Sequence, residues 1–276
     1  MRKILASVPL IAIASMASPA FAQEDDAQFN GPYIGVSAGQ TSVKNRTSVD
    51  AVQFDTNRDG TFSDPVLTST SANAFTPGFC AGQASGNAPT TCGNDDKGVQ
   101  YSVRAGYDVQ SGGTVFGALV EFDKSEASDS SSAFSSTPAG YHFVRDLDYS
   151  VSARARAGFT VAPKLLVYGT GGVSYARINH SFNTTNTANS FTPTNDDDMV
   201  WGWQAGAGAE LKLGSALSVG VEYIYNRYND NKYYVAIGQG TAPVTNAFLL
   251  NGGGTNARQD TRFAFDTLRA TVNLRF

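Results

Sequence analysis

The last nine residues of the chain, 268–276, alternate apolar and polar side chains up to an aromatic C-terminal residue. Successive side chains of a β-strand point to opposite faces, so this alternation predicts a strand with one apolar and one polar face. The same pattern recurs about eight times along the sequence. A chain that repeats it so often can form a β-sandwich in water or a β-barrel in a membrane.

The first 22 residues predict a cleaved export signal. Arg2 and Lys3 form a positive N-terminal region, residues 4–15 form a short apolar core, and the A-x-A motif at 20–22 is a cleavage site. The mature domain is therefore expected to cover 23–276. Because the apolar core is too short to span a membrane and no second apolar run of about 18 residues follows it, any membrane crossing is expected to be made by strands.

Eight segments carry the strand pattern. They cover about 31–41, 99–110, 116–123, 147–161, 165–177, 199–213, 217–228 and 268–276. Long polar connections follow the odd segments and short turns follow the even ones, which is typical of outer-membrane barrels. The sequence thus predicts an all-β, eight-stranded, antiparallel up-and-down transmembrane barrel with a long first outer loop at about 42–98. The glycine-rich fifth segment does not reveal which of its faces points outward.

The polar faces of these segments collect charges of both signs. The expected charge network consists of Arg104, Glu121, Arg154, Arg156, Glu210, Lys212, Glu222 and Arg269. In a soluble sandwich these side chains would lie on the wet outer face. In an eight-stranded barrel they would point into a lumen that side chains fill, where buried charges persist only when they are paired.

Several segments carry a family resemblance. They are 29–39 (FNGPYIGVSAG), 166–173 (LVYGTGGV), 201–210 (WGWQAGAGAE) and the final Phe276. Together they resemble the small outer-membrane β-barrel family that includes opacity-type porins and the OmpA transmembrane domain. The resemblance implies a Gram-negative outer-membrane location in contact with lipid and lipopolysaccharide. It also implies that the barrel-assembly machinery recognises the last strand, with Leu274 and Phe276 as the assembly signal.

The first long connection contains one metal-like motif. Its candidate oxygen ligands come from Asp55, Asn57, Asp59, Thr61 and Asp64. Carboxylate or amide oxygens at loop positions 1, 3 and 5, glycine at 6 and a backbone carbonyl at 7 suit a Ca²⁺ ion. A valine replaces the bidentate glutamate of position 12. The motif is therefore either a weak calcium site or a polar turn that binds nothing.

The same connection holds the two cysteines of the chain, Cys80 and Cys92. Two thiols in one exported loop favour a disulfide, which would stabilise the domain by roughly 3 kcal/mol. A free or metal-bound pair is the alternative. The acidic clusters at 94–96 and 196–198 are interpreted as solvated loop charge, with divalent ions shared with lipopolysaccharide as the other interpretation.

Catalytic patterns are weak. The G-x-S-x-G match at 35–39 lies within a predicted strand, whereas a nucleophile elbow requires a strand, a turn and a helix. His180 and Ser181 are adjacent on a strand and point to opposite faces, so they cannot form a dyad in regular geometry. His142 is expected to be isolated. The sequence does not indicate an enzyme.

Two classes of function remain. The formal net charge of −4 does not indicate binding to nucleic acid, which is itself negatively charged. The favoured function is a structural or surface-interaction role in which the barrel anchors long loops outside the cell. The alternative is a narrow channel for ions or small polar solutes. No pattern in the sequence names a loop ligand.

Overall fold

The computed structural model describes residues 29–43, 52–75, 97–137, 139–195 and 197–276. These residues form thirteen strands: β1 (Gly31–Val43), β2 (Val52–Asp55), β3 (Gly98–Ser111), β4 (Thr114–Ser125), β5 (Ser128–Ser135), β6 (Ala139–Ala162), β7 (Leu165–Thr184), β8 (Ser190–Thr194), β9 (Asp197–Lys212), β10 (Leu217–Asn229), β11 (Tyr234–Gly238), β12 (Thr255–Gln259) and β13 (Arg262–Arg275). Within these ranges no helix is long and apolar enough to cross a membrane. The predicted export signal, Cys80 and Cys92 lie outside the described residues.

Eight of the strands close into a barrel. Each pairs with its neighbours in antiparallel fashion in the order β1, β3, β4, β6, β7, β9, β10 and β13. β13 then pairs back onto β1, with Val36 opposite Val272. The predicted eight-stranded antiparallel barrel is therefore confirmed. Closure satisfies the backbone hydrogen bonds between strands and leaves no free barrel edge.

The connections differ sharply between the two ends of the barrel. The short ones are 112–113, 163–164 and 213–216, and the long ones are 44–97, 126–138, 185–196 and 230–261. Long connections follow the first, third, fifth and seventh strands of the barrel, which are β1, β4, β7 and β10, as the sequence predicted. We call the end that carries them the outer end.

Apolar side chains of the barrel strands face away from the lumen. Val36 is 54% exposed and Phe159 is 62% exposed, whereas inward-facing Ser102 and Arg154 are buried. In β7, whose orientation the sequence left open, Leu166 points inward. A water-soluble sandwich buries its apolar face, so this inverted arrangement fits a barrel whose outside contacts lipid.

β6 contains the main departure from the predicted strands. It begins at Ala139 rather than near residue 147, and its pairing with β7 shifts register between Leu147 and Tyr149. The sequence placed Leu147 on the same outward face as Tyr149, but Leu147 is 2% exposed and points inward. That expectation was wrong because a β-bulge inserts one extra residue and exchanges the two faces of the strand.

The long connections build a second structure over the outer end. β5 pairs with the outer part of β6, and β2, β12, β11 and β8 form a separate antiparallel four-stranded sheet. We call the described residues of 52–75, 126–146, 179–195 and 230–261 the outer cap. None of its five short strands was predicted, because their apolar residues come from segments far apart in sequence.

The outer cap has its own apolar core. Its buried members are Phe54, Val66, Ala74, Ala133, Phe134, Ala139, Tyr141, Phe143, Tyr233, Val235, Ile237, Phe248 and Ala257. Phe182 and Phe191 pack against them. Described residues from all four long connections therefore contribute to one packed unit.

Candidate functional site

The inner part of the lumen contains a first group of ion pairs, which we call the lower network. Arg156 lies 2.8 Å from Glu210 and donates through Nε to Asp108 over 2.8 Å. Arg275 lies 2.8 Å from Asp108 and 3.3 Å from Glu210. Two arginines thus face two carboxylates, and all four side chains are buried. The formal charge of the lower network is balanced.

A second group, the upper network, lies further along the lumen towards the cap. Glu121 is 2.7 Å from Arg104, 2.8 Å from Arg154 and 2.7 Å from Arg269. Glu222 contacts the same three arginines, at 3.1, 3.4 and 2.6 Å. Each guanidinium therefore bridges two carboxylates that come from opposite sides of the barrel. Such shared pairing offsets the cost of removing charges from water.

Asp123 completes the upper network. Its Oδ1 atom lies 3.1 Å from Arg269 and accepts a hydrogen bond from Gln100 over 2.7 Å. With Asp123, three arginines face three carboxylates, so the formal charge of this network is also balanced. Asp108, Asp123 and Arg275 were not part of the predicted network. Their positions in the same alternation as the predicted residues were the available signal.

The structure brings together seven of the eight residues of the predicted network in these two groups. The eighth, Lys212, lies at the inner end, where its Nζ atom is 5.6 Å from the ring centre of Phe29. Phe29 is buried and its backbone N–H donates to Gln110 over 2.6 Å. It packs in an apolar cluster with Val115 and Leu166. An aromatic ring therefore lies across the inner end of the lumen.

An apolar layer lies beyond the upper network. It includes Leu147, Ala176, Ile178, Val200, Tyr228, Phe263 and Phe265. Leu147 stands between Arg154 and Arg145 along β6, which places this layer between the upper network and the cap. Water entering from the cap side would therefore meet buried apolar side chains before it met the charges.

A third polar group, centred on Arg145, joins the cap to the barrel. Arg145 is fully buried, and its Nε atom donates to Asp129 over 2.7 Å. Its guanidinium lies 3.3 Å from Asp230 and 3.4 Å from Asp260. It also donates to the backbone carbonyl groups of Asp260 and Arg262, at 2.7 and 2.9 Å. One side chain thus ties the second outer connection to the fourth.

His180 extends this Arg145 cluster to β7. Its Nε2 atom lies 2.8 Å from Asp230, and its ring stacks on Tyr233 with the centroids 4.2 Å apart. Burial raises the pKa of Asp230, but the hydrogen bond from His180 and the charge of Arg145 outweigh burial and lower it. The Asp230 carboxyl group is therefore charged at neutral pH.

Arg145 was not among the predicted site residues. The residue lies outside the predicted strands, yet it occupies an odd position in an alternation that is otherwise apolar between 139 and 161. A charge at an apolar position of a strand was the signal that could have found it. Its partners Asp129, Asp230 and Asp260 had no such signal, because they lie in or beside the unpredicted cap strands.

The metal-like motif folds as a tight turn. The two carboxylate oxygens of Asp55 accept hydrogen bonds from the backbone N–H groups of Asp59 and Gly60, at 3.1 and 3.0 Å. The side chain of Asp64 instead accepts a bond from the backbone of Thr56 over 2.9 Å. The backbone N–H of Thr61 lowers the pKa of Asp59.

Asn57 also takes part in the turn, with its Oδ1 atom 2.9 Å from the backbone nitrogen of Asp59. Among the described residues, no three His, Cys, Asp or Glu side chains cluster closely enough to hold a metal ion. The acidic cluster 94–96 lies outside the described residues, as do Asp196 and the side chains of Asp197 and Asp198. Calcium binding at 55–64 therefore stays a prediction.

The residues weighed as catalytic lie apart. Ser37 faces the lumen and its Oγ atom is 2.6 Å from that of Ser102. The side chain of His180 is buried, while Ser181 is exposed on the opposite face of β7. The expectation that His142 is isolated was wrong, since its Nδ1 atom lies 2.7 Å from Ser132 Oγ across the β5–β6 hairpin. His142 contacts no carboxylate in the part of the chain that the structure describes.

The sequence also matches a known family. Residues 8–276 match the model described as the outer membrane protein beta-barrel domain. The chain belongs to this family. Membership confirms the predicted location of this outer-membrane β-barrel protein in the Gram-negative outer membrane.

Two relatives come from Brucella. The 31 kDa outer-membrane immunogenic protein of Brucella melitensis is 26% identical over 267 residues, which cover 96% of this chain and 91% of the relative. The protein of the same description from Brucella suis matches with the same figures.

Among solved structures, OprG from Pseudomonas aeruginosa aligns with a TM-score of 0.43 and 10% identity, over 91% of this chain and 98% of OprG. Neisserial surface protein A aligns with a TM-score of 0.35 and 15% identity, over 89% and 97% of the two chains.

Proposed function

We propose that the protein is a surface-interaction protein, in which the barrel is an anchor and the outer cap is the binding surface. The observation that carries this proposal is the apolar core of the cap. Phe143, Val235 and Ile237 are fully buried in it. A segment that only connects two strands does not require such packing. A binding surface that is already ordered binds more tightly, because less conformational entropy is lost on binding.

The Arg145 cluster supports the same role. Through Asp129, Asp230 and Asp260 it ties the second and fourth outer connections to the outer part of β6, and its bond to the Arg262 carbonyl reaches barrel strand β13. The cap is thereby held in one orientation relative to the membrane. The Brucella melitensis relative is described as immunogenic, and we propose that the cap of this chain is accessible to antibodies.

The alternative, a narrow channel, has weaker support. Arg104, Arg154 and Glu121 are buried side chains in the middle of the lumen, and each has a partner of opposite charge. An ion crossing the barrel would have to separate these pairs. It would also have to pass Phe29 at the inner end. We therefore propose a lumen that is plugged by its own side chains.

We further propose that the last strand directs assembly. Leu274 and Phe276 face outward and are 47% and 65% exposed, so a lipid-embedded assembly machinery can reach both before the barrel closes. Lipid and lipopolysaccharide are the partners we assign to the apolar outer face as a whole. Replacing Phe276 by Asn should slow assembly without altering the folded barrel.

Two measurements test the proposed function. Val244 is 72% exposed in the fourth outer connection, so a Val244→Cys variant should react with a membrane-impermeant maleimide on intact cells. The unsubstituted protein is the control, because it reports any reaction of Cys80 and Cys92. In planar bilayers the purified protein should show no steady single-channel conductance. A Val244→Cys variant that stays unlabelled, or a steady open conductance, would overturn the proposal.

A further inference from the structure

The outer cap contains a cavity of about 270 Å³ that opens near its surface. Its lining comes from all four outer connections: residues 66–75, 135–137, 186 and 243–248. A cavity of this size falls just below the range of pockets that hold drug-sized ligands. It therefore has room for one small molecule.

The lining is apolar on one side. Phe75 and Phe248 contribute aromatic rings whose centroids are 5.9 Å apart, and Val66, Ala74 and Ala247 complete this side. Aromatic rings offer large, rigid surfaces on which an apolar face of a ligand can pack. The ligand must therefore have an apolar face.

The rim is polar but uncharged. The hydroxyl groups of the exposed Ser69 and Thr245 border the cavity together with the amide of Asn246, and the buried Ser135 contributes a further hydroxyl group to the lining. The Oδ1 atom of Asn246 accepts bonds from Phe248 N and Asn189 Nδ2, at 3.0 and 3.4 Å. Within the described part of the chain its Nδ2 atom has no acceptor, and the hydroxyl groups of Ser69 and Thr245 make no hydrogen bond.

The uncharged side chains of the lining restrict the class of ligand that the cavity can bind. Among the described residues that line the cavity there is no Asp, Glu, Lys, Arg or His. A charged ligand would give up its hydration without gaining an ionic partner, which costs several kcal/mol. A neutral ligand with several hydroxyl groups could instead exchange hydrogen bonds with a rim that both donates and accepts.

We infer that this cavity binds a neutral pyranose sugar, either free or as the terminal unit of a glycan. A pyranose combines a face of C–H groups with a ring of hydroxyl groups, which matches the two sides of the lining. The inference rests on the proposed function, because it names the ligand class of the same outer surface. The aromatic side holds the ring face, and Ser69, Thr245 and Asn246 bind the hydroxyl groups.

Saturation-transfer NMR tests the inference on the full-length protein in lipid nanodiscs that contain no glycoside detergent. The free probes are glucose, galactose and mannose, with glucose 6-phosphate as the charged counterpart of glucose. A neutral glycan array probes the terminal-unit form. At least one neutral sugar should bind with a dissociation constant on the order of 1 mM or below. Glucose 6-phosphate should bind at least roughly tenfold more weakly than glucose.

Two substitutions locate the site. Thr245→Trp places a large ring at the exposed rim and should weaken binding at least roughly tenfold. Thr192→Trp is the matched control, because Thr192 is an exposed cap threonine in β8 that does not line the cavity. Ser69→Trp is a second blocking variant, should the Thr245 variant fail to fold.

Three results would overturn the inference: no neutral sugar binds in either form, the blocking variants bind as well as the control, or glucose 6-phosphate binds as well as glucose. Labelling of the Val244→Cys variant separates these failures from failure of the proposed function. A labelled cap without sugar binding rejects the pyranose and leaves the surface role standing. If the Val244→Cys variant is not labelled, both the surface role and the pyranose site are rejected.

Discussion

The barrel lumen and the outer cap bury opposite kinds of side chain, although one strand runs through both. In its outer part β6 buries Tyr141 and Phe143 in the apolar core of the cap. In its membrane part the same strand buries Arg154 and Arg156 and exposes Val151. The medium outside decides the difference. Around the cap it is water, so apolar groups turn in, whereas around the barrel it is lipid, so they turn out.

The bulge at Leu147 makes this inversion possible. Except for Arg145, the odd-numbered residues of β6 are apolar on both sides of the bulge. They face inward from Ala139 to Leu147 and outward from Tyr149 onward. The extra residue therefore turns the apolar face of β6 inward in the cap, where water lies outside, and outward in the barrel, where lipid lies outside. The cap and the barrel meet at this point, directly beside Arg145.

The largest effect is expected in the lumen. Arg154→Ala leaves Glu121 and Glu222 short of a partner in a buried site, and removing one member of such a network costs about 3–5 kcal/mol. Denaturant unfolding in lipid vesicles measures the loss. Arg227→Ala is the matched control, since Arg227 is exposed on β10 and its loss should change stability by about 0.5 kcal/mol or less.

Glu222→Ala should behave like Arg154→Ala, because it removes the carboxylate that three arginines share. If both variants keep the unfolding midpoint and the conductance of the original protein, the lumen is not a paired network. The buried charges of the barrel interior would then contribute nothing measurable to its stability.

The second effect concerns the cap. Ile237→Ala removes a fully buried side chain from the cap core and should cost about 2–5 kcal/mol of cap stability, because a cavity remains. Limited proteolysis of 230–261 measures it. Ile34→Ala carries the same change to the lipid face of β1, where lipid chains fill the space, so its cost should be smaller. Equal protease resistance of the Ile237 variant and the original protein would show that the cap core is not packed.

A third, smaller effect concerns pH. Because the pKa of Asp230 is lowered in the folded protein, its contribution is present above the unfolded-state pKa of about 3.9 and is lost as the pH falls through the folded value. Each unit of lowering corresponds to about 1.4 kcal/mol. The protection of β11 amides, measured as exchange relative to an unstructured peptide at the same pH, should therefore fall below about pH 4, while the barrel strands stay protected. An Asp230→Asn variant should lose this pH dependence of β11 protection. If the variant keeps the pH dependence, another titrating group causes it.

The smallest effect is expected from calcium. If the turn at 55–64 binds Ca²⁺ with a dissociation constant on the order of 10⁻⁴ to 10⁻³ M, about 1 mM Ca²⁺ would stabilise the cap by roughly 0.4–1.4 kcal/mol. Calorimetric titration compares the protein with its Asp55→Ala and Asp59→Ala variants. Equal heats from all three would identify the segment as an ordinary polar turn.

The barrel could be predicted because each membrane strand carries its whole signal locally. Alternation in segments such as 99–110 fixes the strand, its two faces and the inward position of Arg104 at once. The order of long and short connections then fixes the topology. Which inward charges pair could not be predicted, because it depends on strand register: Asp108 contacts Arg156 and Arg275 across the lumen.

The cap could not be predicted for the opposite reason. Its core joins Phe54, Phe134 and Ile237, which come from three different connections and have no shared period. The four-stranded sheet pairs β2 with β12, two strands about two hundred residues apart. The bulge in β6 also left no local signal, since the apolar alternation passes through it unbroken.

Hydrogen exchange of the full-length protein in lipid bilayers tests the central claim most directly, namely that the outer connections form one packed cap. The amides of Val235, Ile237 and Ala257 lie in the cap sheet and should exchange far more slowly than those of the exposed turn residues Val244 and Thr245. Ile237→Ala should remove that protection and leave β13 protected. Rapid exchange throughout 230–261 in the original protein would contradict the account, because the outer connections would then be separate loops.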